Sequence, residues 1–329
     1  MAAGFCMNIE DAKGSMNRYG KNGIPFLFIL DFEFKKPLVR RLDDLSSSEI
    51  IFDINGFTNG SILYEKKKKI ELKRYPMPFE SYKTAFLKVY DHLYNGNTYL
   101  LNLTFPTRIT CSLGLSEIFH RSKAKFKLLV NDQFVVFSPE IFVRIDGRTI
   151  SSYPMKGTID ASVPDAEERI LSDEKEQAEH ATIVDLIRND LSMVARDVKV
   201  ESYRYIDRIT AHDKTLLQVS SRISGLLPED YNECIGDLLF KLLPAGSVTG
   251  APKKKTVEII KEVENYDRGY YTGVFGYYDG KKLESGVMIR FIENINGILY
   301  YKSGGGITAI SNAESEYKEM IDKIYVPFV

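Results

Sequence analysis

Residues 133–158 read QFVVFSPEIFVRIDGRTISSYPMKGT and contain the strongest strand and turn signals in the chain. Residues 133–137 and 141–145 are rich in β-branched and aromatic side chains, which is typical of buried strands. Asp146-Gly147 is a strong two-residue hairpin signal, and a further strand over 148–153 follows it. This part of the chain therefore predicts an antiparallel sheet.

The same hairpin brings an amine and a carboxylic acid to one rim. With the turn so assigned, Glu140 lies opposite Tyr153, and Lys156 follows just past that end. A potential nucleophile and a potential proton donor then meet, and burial favours both a neutral amine and a protonated acid. The competing interpretation is a surface ion pair at a sheet edge, which contributes little to stability.

The composition is that of an ordinary soluble globular protein, with 44% hydrophobic and 27% charged residues. A chain of 329 residues is long enough for two domains or one large α/β unit. The formal net charge of −1 gives no electrostatic reason to expect a nucleic-acid or membrane partner.

The three cysteines, Cys6, Cys111 and Cys234, match neither a CxxC pair nor zinc-site spacing, so we expect reduced thiols. The first residues contain no apolar segment of signal-peptide length, and apolar runs such as Ile24–Leu30 are too short to span a bilayer. These features predict a soluble cytoplasmic protein.

Strands and helices alternate along the chain without a low-complexity linker. The spacing of apolar residues predicts helices over 79–94, from about Glu174 to Val194, near Tyr231–Leu242 and after Pro252. Before residue 70 the pattern indicates short strands, in the segments PFLFILDF, EIIFDI and SILYEK.

Two predicted helices carry carboxylates on one face. Glu176 and Glu179 share a face of the helix that starts near Glu174, and Glu316 and Glu319 share a face of the last helix. The last helix opens with the capping-box pattern SNAE. Carboxylates without a histidine or cysteine partner suit Mg²⁺. Glutamates on helices are also common as exposed helix formers, so the pattern alone leaves both interpretations open.

Two glycine-rich segments are candidate anion sites. The first, LPAGSVTGAPK over 243–253, precedes a helix and leaves backbone N–H groups free, although its spacing does not match the nucleotide P-loop. The second, KSGGGI over 302–307, follows a hairpin whose turn at Asn296-Gly297 sets Arg290 beside Ser303. A plain helix-entry turn and a flexible connection are the alternatives. Together with the metal and Lys/Glu patterns, these segments suggest a small dianionic substrate.

Six ordered motifs resemble the chorismate-utilising enzymes, the group that contains anthranilate synthase large subunits, isochorismate and salicylate synthases, and aminodeoxychorismate synthase component I. The motifs are SPE, PMKGT, AEHATIVDLIRNDL, LPAGSVTGAPK, GVFGYYD and GGGITAISNAESEYKE. The resemblance implies an α+β fold, a large two-lobed α/β sandwich with two antiparallel sheets packed face to face and helices outside. It also implies a shortened N-terminal segment over 1–70, packed on a chorismate-binding catalytic domain over 71–329.

Lysine at position 156 is the residue that separates members of this family. Anthranilate synthases and several relatives typically carry alanine there, whereas aminodeoxychorismate synthases carry lysine. By analogy, Lys156 attacks ring carbon 2 of chorismate, the 4-hydroxyl leaves with Glu140 as general acid, and ammonia then displaces the lysine while adding to carbon 4. The implied product is 4-amino-4-deoxychorismate, the precursor of 4-aminobenzoate and folate. Anthranilate synthase component I and isochorismate synthase are the alternatives.

The resemblance also assigns the other site residues and the partner. It implies Mg²⁺, held by Glu179 and Glu319 with Glu316 alongside, as the ion that binds the ring carboxylate of chorismate. Tyr277 is placed against the pyruvyl-ether arm. The further substrate contacts implied are Gly157, Thr158, Gly246, Ser247, Thr249, Arg290, Gly305, Gly306 and Lys323.

Two features of the chain bear on the choice within the family. Gln218 stands where the family often has a histidine associated with pyruvate loss in anthranilate synthases, which argues against that reaction. No segment resembles a glutamine amidotransferase, so we expect ammonia to come from a separate amidotransferase subunit.

Overall fold

The computed structural model describes residues 7–60, 70–211 and 214–328. The described helices are α1 Ile9–Lys21, α2 Phe79–Tyr94, α3 Leu115–Arg121, α4 Ala166–Ser172, α5 Glu174–Ser192, α6 Ile235–Leu242, α7 Lys253–Val263 and α8 Ala313–Asp322. The described strands are β1 Phe26–Leu30, β2 Leu38–Arg41, β3 Ile50–Ile54, β4 Phe57–Thr58, β5 Leu72–Tyr75, β6 Leu100–Cys111, β7 Phe126–Val130, β8 Phe134–Ser138, β9 Ile141–Asp146, β10 Thr149–Ser152, β11 Met155–Asp160, β12 Arg196–Ala211, β13 Lys214–Leu226, β14 Gly250–Ala251, β15 Val274–Tyr278, β16 Leu283–Val287, β17 Phe291–Ile295 and β18 Ile298–Ile307.

Within these described ranges, the strands form two antiparallel sheets of nine strands each. The first sheet has the order β11-β13-β10-β9-β16-β15-β1-β2, with β12 also paired to β13. The second has the order β14-β6-β18-β17-β8-β7-β3-β4, with β5 also paired to β6. A core lies between them, where the rings of Phe126 and Phe275 meet edge to face at 6.4 Å. The predicted pair of antiparallel sheets packed face to face is therefore confirmed.

Helices cover the outer faces of both sheets, as predicted. Helices α1, α5 and α6 pack on the first sheet, through side chains that include Met16 and Leu239. Helices α2, α7 and α8 pack on the second sheet, through side chains that include Ile260 and Met320. Within the described part of the chain, no helix combines the length and apolar character needed to cross a lipid bilayer.

The hairpin between β9 and β10 differs from the predicted register. Asp146 pairs with Thr149, so residues 147–148 form the turn, and the predicted pairing of Glu140 with Tyr153 is wrong. The glycine of this turn has a φ of 56°, whereas the aspartate stays in the strand. A glycine at the first turn position suits a type II′ turn, and this preference outweighs the Asp-Gly signal.

Other local predictions agree more closely with the structure. The hairpin at Asn296-Gly297 has the predicted register. Helix α2 spans the predicted residues 79–94, and the Asp173 side chain caps α5. The last helix starts one residue later than the capping-box pattern indicates, because Asn312 and not Ser311 accepts its first backbone N–H groups.

The N-terminal segment is part of both sheets and is not a layer packed on a separate domain. Strand β1 lies between β15 and β2 in the first sheet, and β3 pairs with β7 in the second. The strands predicted from PFLFILDF and EIIFDI are confirmed, whereas SILYEK and Cys6 lie outside the described residues. Helix α1 gives only a weak apolar pattern, since its buried face consists of Ala12, Ser15, Met16 and Gly20.

Candidate active site

A cavity of about 800 Å³ lies beside β6, β11 and β18, between α5 and α8 and next to the loop that precedes α7. This volume suits a small organic molecule, since ligand pockets are commonly about 300–1,000 Å³. Gln218, which the family resemblance singles out, is among the residues that line it. The predicted site residues that line it are Glu140, Lys156, Gly157, Thr158, Glu179, Ser247, Thr249, Arg290, Gly306, Glu316, Glu319 and Lys323.

Tyr277 does not line this cavity, so the structure does not bring it together with the other predicted site residues. Its ring packs against the rings of Phe57 and Phe52, at centroid distances of 4.5 and 6.3 Å. The reason is topological, because β15 lies in the interior of the first sheet, five strands away from β11.

Two predicted glycines border the cavity without lining it. A Cβ atom at Gly305 would lie 3.3 Å from Glu316 Oε2, so this glycine gives room to the carboxylate. A Cβ atom at Gly246 would lie 2.9 Å from Leu186 Cδ2, so Gly246 faces α5. Gly246 is therefore outside the lining of this cavity, because helix packing uses the space beside it.

Lys156 enters the cavity from an irregular part of β11. The strand bulges at Gly157, whose φ of 72° favours glycine. Lys156 Nζ lies 2.7 Å from Glu179 Oε2. Burial acts to lower the pKa of this amine, but the hydrogen-bonded charge of Glu179 and the nearby charge of Glu176 raise the pKa overall. The expected neutral amine is therefore not the resting state of the pair.

Glu140 lies in the connection between β8 and β9 and faces the same cavity. Ser247 Oγ donates a hydrogen bond to Glu140 Oε1. Burial raises the pKa of Glu140, and the Ser247 hydrogen bond and the charge of Lys156 offset only part of this effect. A carboxyl group with a raised pKa keeps its proton to higher pH, which is the property that a general acid needs.

Four glutamates from two helices line the cavity, with Glu176 and Glu179 on α5 and Glu316 and Glu319 on α8. As their side chains stand, no three acidic, histidine or cysteine groups in the described ranges are close enough to share one ion. Lysine amines instead lie 2.7 Å from Glu179 and from Glu319. However, Glu176 Oε2 is buried without a hydrogen-bond partner, and burial is the main cause of its raised pKa. Carboxylate oxygens are ligands that Mg²⁺ prefers, so these glutamates are the residues that could hold such an ion.

Two basic side chains add positive charge to the cavity. Lys323 Nζ lies 2.7 Å from Glu319 Oε1 and donates to the Gly304 carbonyl at 2.9 Å. Burial lowers the pKa of Lys323, and Glu319 offsets part of that shift. The guanidinium of Arg290 lies 4.9 Å from the centre of the Tyr325 ring, and its Nε is buried without a hydrogen-bond partner. An unpartnered guanidinium N–H at a cavity wall is a donor available to an anionic ligand.

Comparison with known proteins shows the family of this chain. The profile of the family described as chorismate binding enzyme matches residues 39–328. The chain belongs to the chorismate-binding enzyme family. It is 51% identical over 311 residues to an uncharacterized PabA-like protein of Haemophilus influenzae, with 94% of each chain covered.

Two characterised groups of this family are about equally similar to the chain. It is 33% identical over 264 residues to aminodeoxychorismate synthase component 1 of Escherichia coli, covering 75% of this chain and 57% of that protein. It is 32% identical over 260 residues to an anthranilate synthase component 1 of Haloarcula marismortui, covering 74% of this chain and 52% of that protein. The structure of MenF, the menaquinone-specific isochorismate synthase from Escherichia coli, shares the fold, with a TM-score of 0.75, 14% identity, and coverage of 98% of this chain and 82% of that one.

Arg268 is buried behind the cavity of this chorismate-binding enzyme and hydrogen-bonds to residues of its wall. No sequence pattern singles this arginine out. It donates to both carboxylate oxygens of Glu264 at 2.8 and 2.6 Å, and to the carbonyls of Val248 and Asn102 at 2.8 and 2.6 Å. Its own carbonyl accepts from Lys302 Nζ at 2.8 Å. Because Asn102, Val248 and Lys302 all line the cavity, this one guanidinium group and its backbone fix three parts of the wall. Asn102 is 166 residues away in sequence, so local patterns could not reveal the contact.

A buried histidine stands next to the metal-ligand candidate Glu179. His180 is 1% exposed, and its Nε2 lies 2.6 Å from Ser221 Oγ, which also accepts the Arg204 backbone N–H at 2.9 Å. We assign the hydroxyl proton to Nε2, which leaves the imidazole proton on Nδ1, an atom without a partner. Burial, with the charges of Arg204 and Lys156, lowers the pKa of His180 to about 4.

We expect mild acid to destabilise the protein through His180. The unfolded chain takes up this proton near pH 6.5 and the folded chain near pH 4, so the free energy of unfolding falls as the pH drops through that window. Between pH 7.5 and pH 5 the loss should be roughly 1–2 kcal/mol, allowing for some solvent screening. Urea unfolding of wild type and His180→Gln at both pH values measures it, and equal losses in the two proteins would contradict the assignment.

Proposed function

We propose that this protein is the large subunit of an aminodeoxychorismate synthase, which converts chorismate and ammonia to 4-amino-4-deoxychorismate for 4-aminobenzoate and folate synthesis. The observation that carries the proposal is the position of Lys156, whose amine lies in the cavity that Glu140 also lines. Hydroxide is a poor leaving group, so a nucleophilic amine and a protonated carboxyl are the two groups that its displacement needs.

The reaction divides into two displacements in which both residues are restored. Lys156 Nζ, as the free amine, bonds to ring carbon 2, the ring double bonds shift, and the bond from carbon 4 to oxygen breaks as Glu140 gives its proton. The oxygen leaves as water. Ammonia then bonds to carbon 4, the lysine leaves carbon 2 with the electron pair of that bond, and Glu140 takes a proton from the new ammonium group.

The ion pair with Glu179 controls when Lys156 can attack. A charged amine has no lone pair, and Glu179 is the main reason that the pKa of Lys156 is raised. Neutralising Glu179 leaves burial as the dominant influence, and burial lowers the pKa of an amine. Mg²⁺ held by Glu179, Glu316 and Glu319 would supply positive charge there and bind the ring carboxylate of chorismate. Arg290 and Lys323 are then available to a second carboxylate.

The space beside the amine is bordered by an apolar side chain as well as by glutamates. A Cβ atom at Gly306 would lie 3.1 Å from Leu100 Cδ1 and 3.6 Å from Lys156 Nζ, so the methyl group and the amine border one space. Lysine at position 156, where anthranilate synthases and several relatives carry alanine, disfavours both anthranilate synthase and isochorismate synthase.

Incubation with chorismate, Mg²⁺ and ammonium tests the proposal. We expect a product with the mass of aminodeoxychorismate that keeps its pyruvyl ether and yields 4-aminobenzoate only after a lyase is added. Anthranilate fluoresces and has lost the pyruvyl group. A prompt anthranilate signal without a lyase, or isochorismate as the product, would overturn the assignment.

We further propose a separate glutamine amidotransferase subunit as the ammonia source, with both proteins in the cytoplasm and free ammonium as a substitute in vitro. An amidotransferase needs an activated, low-pKa cysteine. Burial instead raises the pKa of both Cys111 and Cys234 in this chain. Neither of these thiols has the setting of such a nucleophile.

The proposed metal ligands predict a measurable change in Mg²⁺ binding. Glu179→Gln and Glu316→Gln each remove one charged oxygen ligand, so we expect Mg²⁺ to bind the substrate-free protein at least about tenfold more weakly. Isothermal titration calorimetry measures this without reference to activity. Glu314→Gln, an exposed position on the same helix, is the matched control. Wild-type affinity in both cavity variants would exclude these glutamates as ligands.

A further inference from the structure

A second, much smaller cavity lies behind Glu140. Its volume is about 20 Å³, which is room for one water-sized molecule and nothing larger. The linings of the two cavities share only Glu140 and Ser247 among the described residues. The hydrogen bond from Ser247 Oγ to Glu140 Oε1 therefore forms the partition between them.

The polar side chains around the small cavity offer hydrogen-bond acceptors. Ser247 Oγ donates its hydrogen bond to Glu140, and Ser152 Oγ donates to a backbone carbonyl at 2.9 Å. Asp190 accepts from Lys253 Nζ at 2.8 Å. Once Glu140 has given up its proton, these four lining side chains have lone pairs to offer and no free proton. A molecule with three N–H donors suits such a lining better than water, which also needs a donor.

The rest of the lining favours a neutral molecule. It consists of Ile141, Phe142, Val143, Pro154, Ile187, Leu191, Leu242, Ala245 and Gly246. Apolar walls penalise an ammonium ion, and the charge of Asp190 is already matched by Lys253. The Asp190 and Lys253 side chains are 14% and 17% exposed, so solvent reaches part of this ion pair, and neither residue lines the large cavity.

We propose that the small cavity holds one molecule of ammonia, which crosses the Glu140–Ser247 partition to reach ring carbon 4 as the new water departs. This inference rests on the proposed function. The ring adduct on Lys156 lies in the large cavity when ammonia is needed, and the small cavity gives ammonia a position on the other side of Glu140. Glu140, which borders both cavities, then acts twice in each catalytic cycle. Glu140 gives a proton to the oxygen as its bond to carbon 4 breaks, and takes a proton from the nitrogen as the new bond forms.

Filling the small cavity tests the proposal. Ala245→Val and Val143→Ile each add carbon atoms to its lining, and Val39→Ile adds the same methylene elsewhere in the core cluster that contains Val143. At saturating chorismate, we expect the KM for ammonium to rise at least tenfold in both filled variants and to stay unchanged in Val39→Ile. The KM for chorismate and the lysine adduct seen by intact mass without ammonia should be retained in all three.

The possible outcomes separate this inference from the proposed function. An unchanged ammonium KM in a folded, filled variant would overturn the inference, and any solvent peak in the wild-type cavity would then be a structural water only.

Methylamine gives an independent measurement on the wild type, because two heavy atoms exceed the cavity. Use of methylamine as efficiently as ammonia would also overturn the inference. A wild type that forms neither adduct nor aminated product would instead remove the proposed function.

Discussion

Replacing Lys156 by alanine is expected to lower kcat for amination at least about a thousandfold, because the variant lacks the group that opens the covalent route. Mixing wild type with chorismate in the absence of ammonia should add the mass of chorismate less water, and a peptide map should place that mass on Lys156. The variant should gain no mass. Its fold should persist, since the lost contact lies at the wall of the cavity and not within the packed apolar core.

The matched control for this experiment is Lys323→Ala. Lys323 is also a cavity lysine and also lies 2.7 Å from a glutamate, but we assign it to carboxylate binding. The control should raise the KM for chorismate while the adduct on Lys156 still forms at high chorismate. Amination at the wild-type rate in Lys156→Ala would exclude a covalent role for the lysine.

The second large effect is expected at Glu140. Glu140→Gln keeps a hydrogen-bond acceptor for Ser247 but has no acidic proton, so kcat should fall by about a hundred- to ten-thousandfold. Burial raises the pKa of Glu140, and the protonated form is the active one. Wild-type kcat should therefore decline as the pH rises through this raised pKa, and the residual rate of the variant should lack that decline.

Ser247→Ala provides the control for the pH profile. The Ser247 hydrogen bond lowers the pKa of Glu140, so its loss should move the alkaline decline to higher pH. A profile of kcat against pH for the three proteins measures both effects. An alkaline limb that is identical in all three would mean that another group is the acid.

Local sequence patterns predicted most of the fold because they act over a few residues. Helix α2 and the hairpin at Asn296-Gly297 follow directly from apolar spacing and turn residues. The turn after Asp146 was harder to predict, since both Asp-Gly and Gly-Arg can occupy a two-residue loop. Only the pairing of the two strands decides which of these dipeptides forms the turn. Helix α1 gives little signal, because small residues such as Ala12 and Gly20 form its buried face.

The positions of site residues could be predicted where a family motif contains them. They could not be predicted where the order of strands in a sheet decides which residues meet. Lys156 and Glu140 line one cavity, as their motifs predict, whereas the short ion pair of Lys156 with Glu179 could not be foreseen from either motif. Tyr277 belongs to a motif of the same family and yet lies among aromatic side chains elsewhere. Arg268 and His180 were invisible because their partners come from distant segments.

The position of Arg268 has a consequence for redesign. The buried guanidinium group of Arg268 holds the inner wall of the large cavity through Glu264 and two backbone carbonyls. The inner wall therefore does not depend on the residues at the entrance. Lys318 and Asp322 line that cavity and are exposed on α8. Engineering of ligand preference should therefore begin at these two positions, where substitutions can alter ligand binding while the inner wall of the cavity keeps its shape.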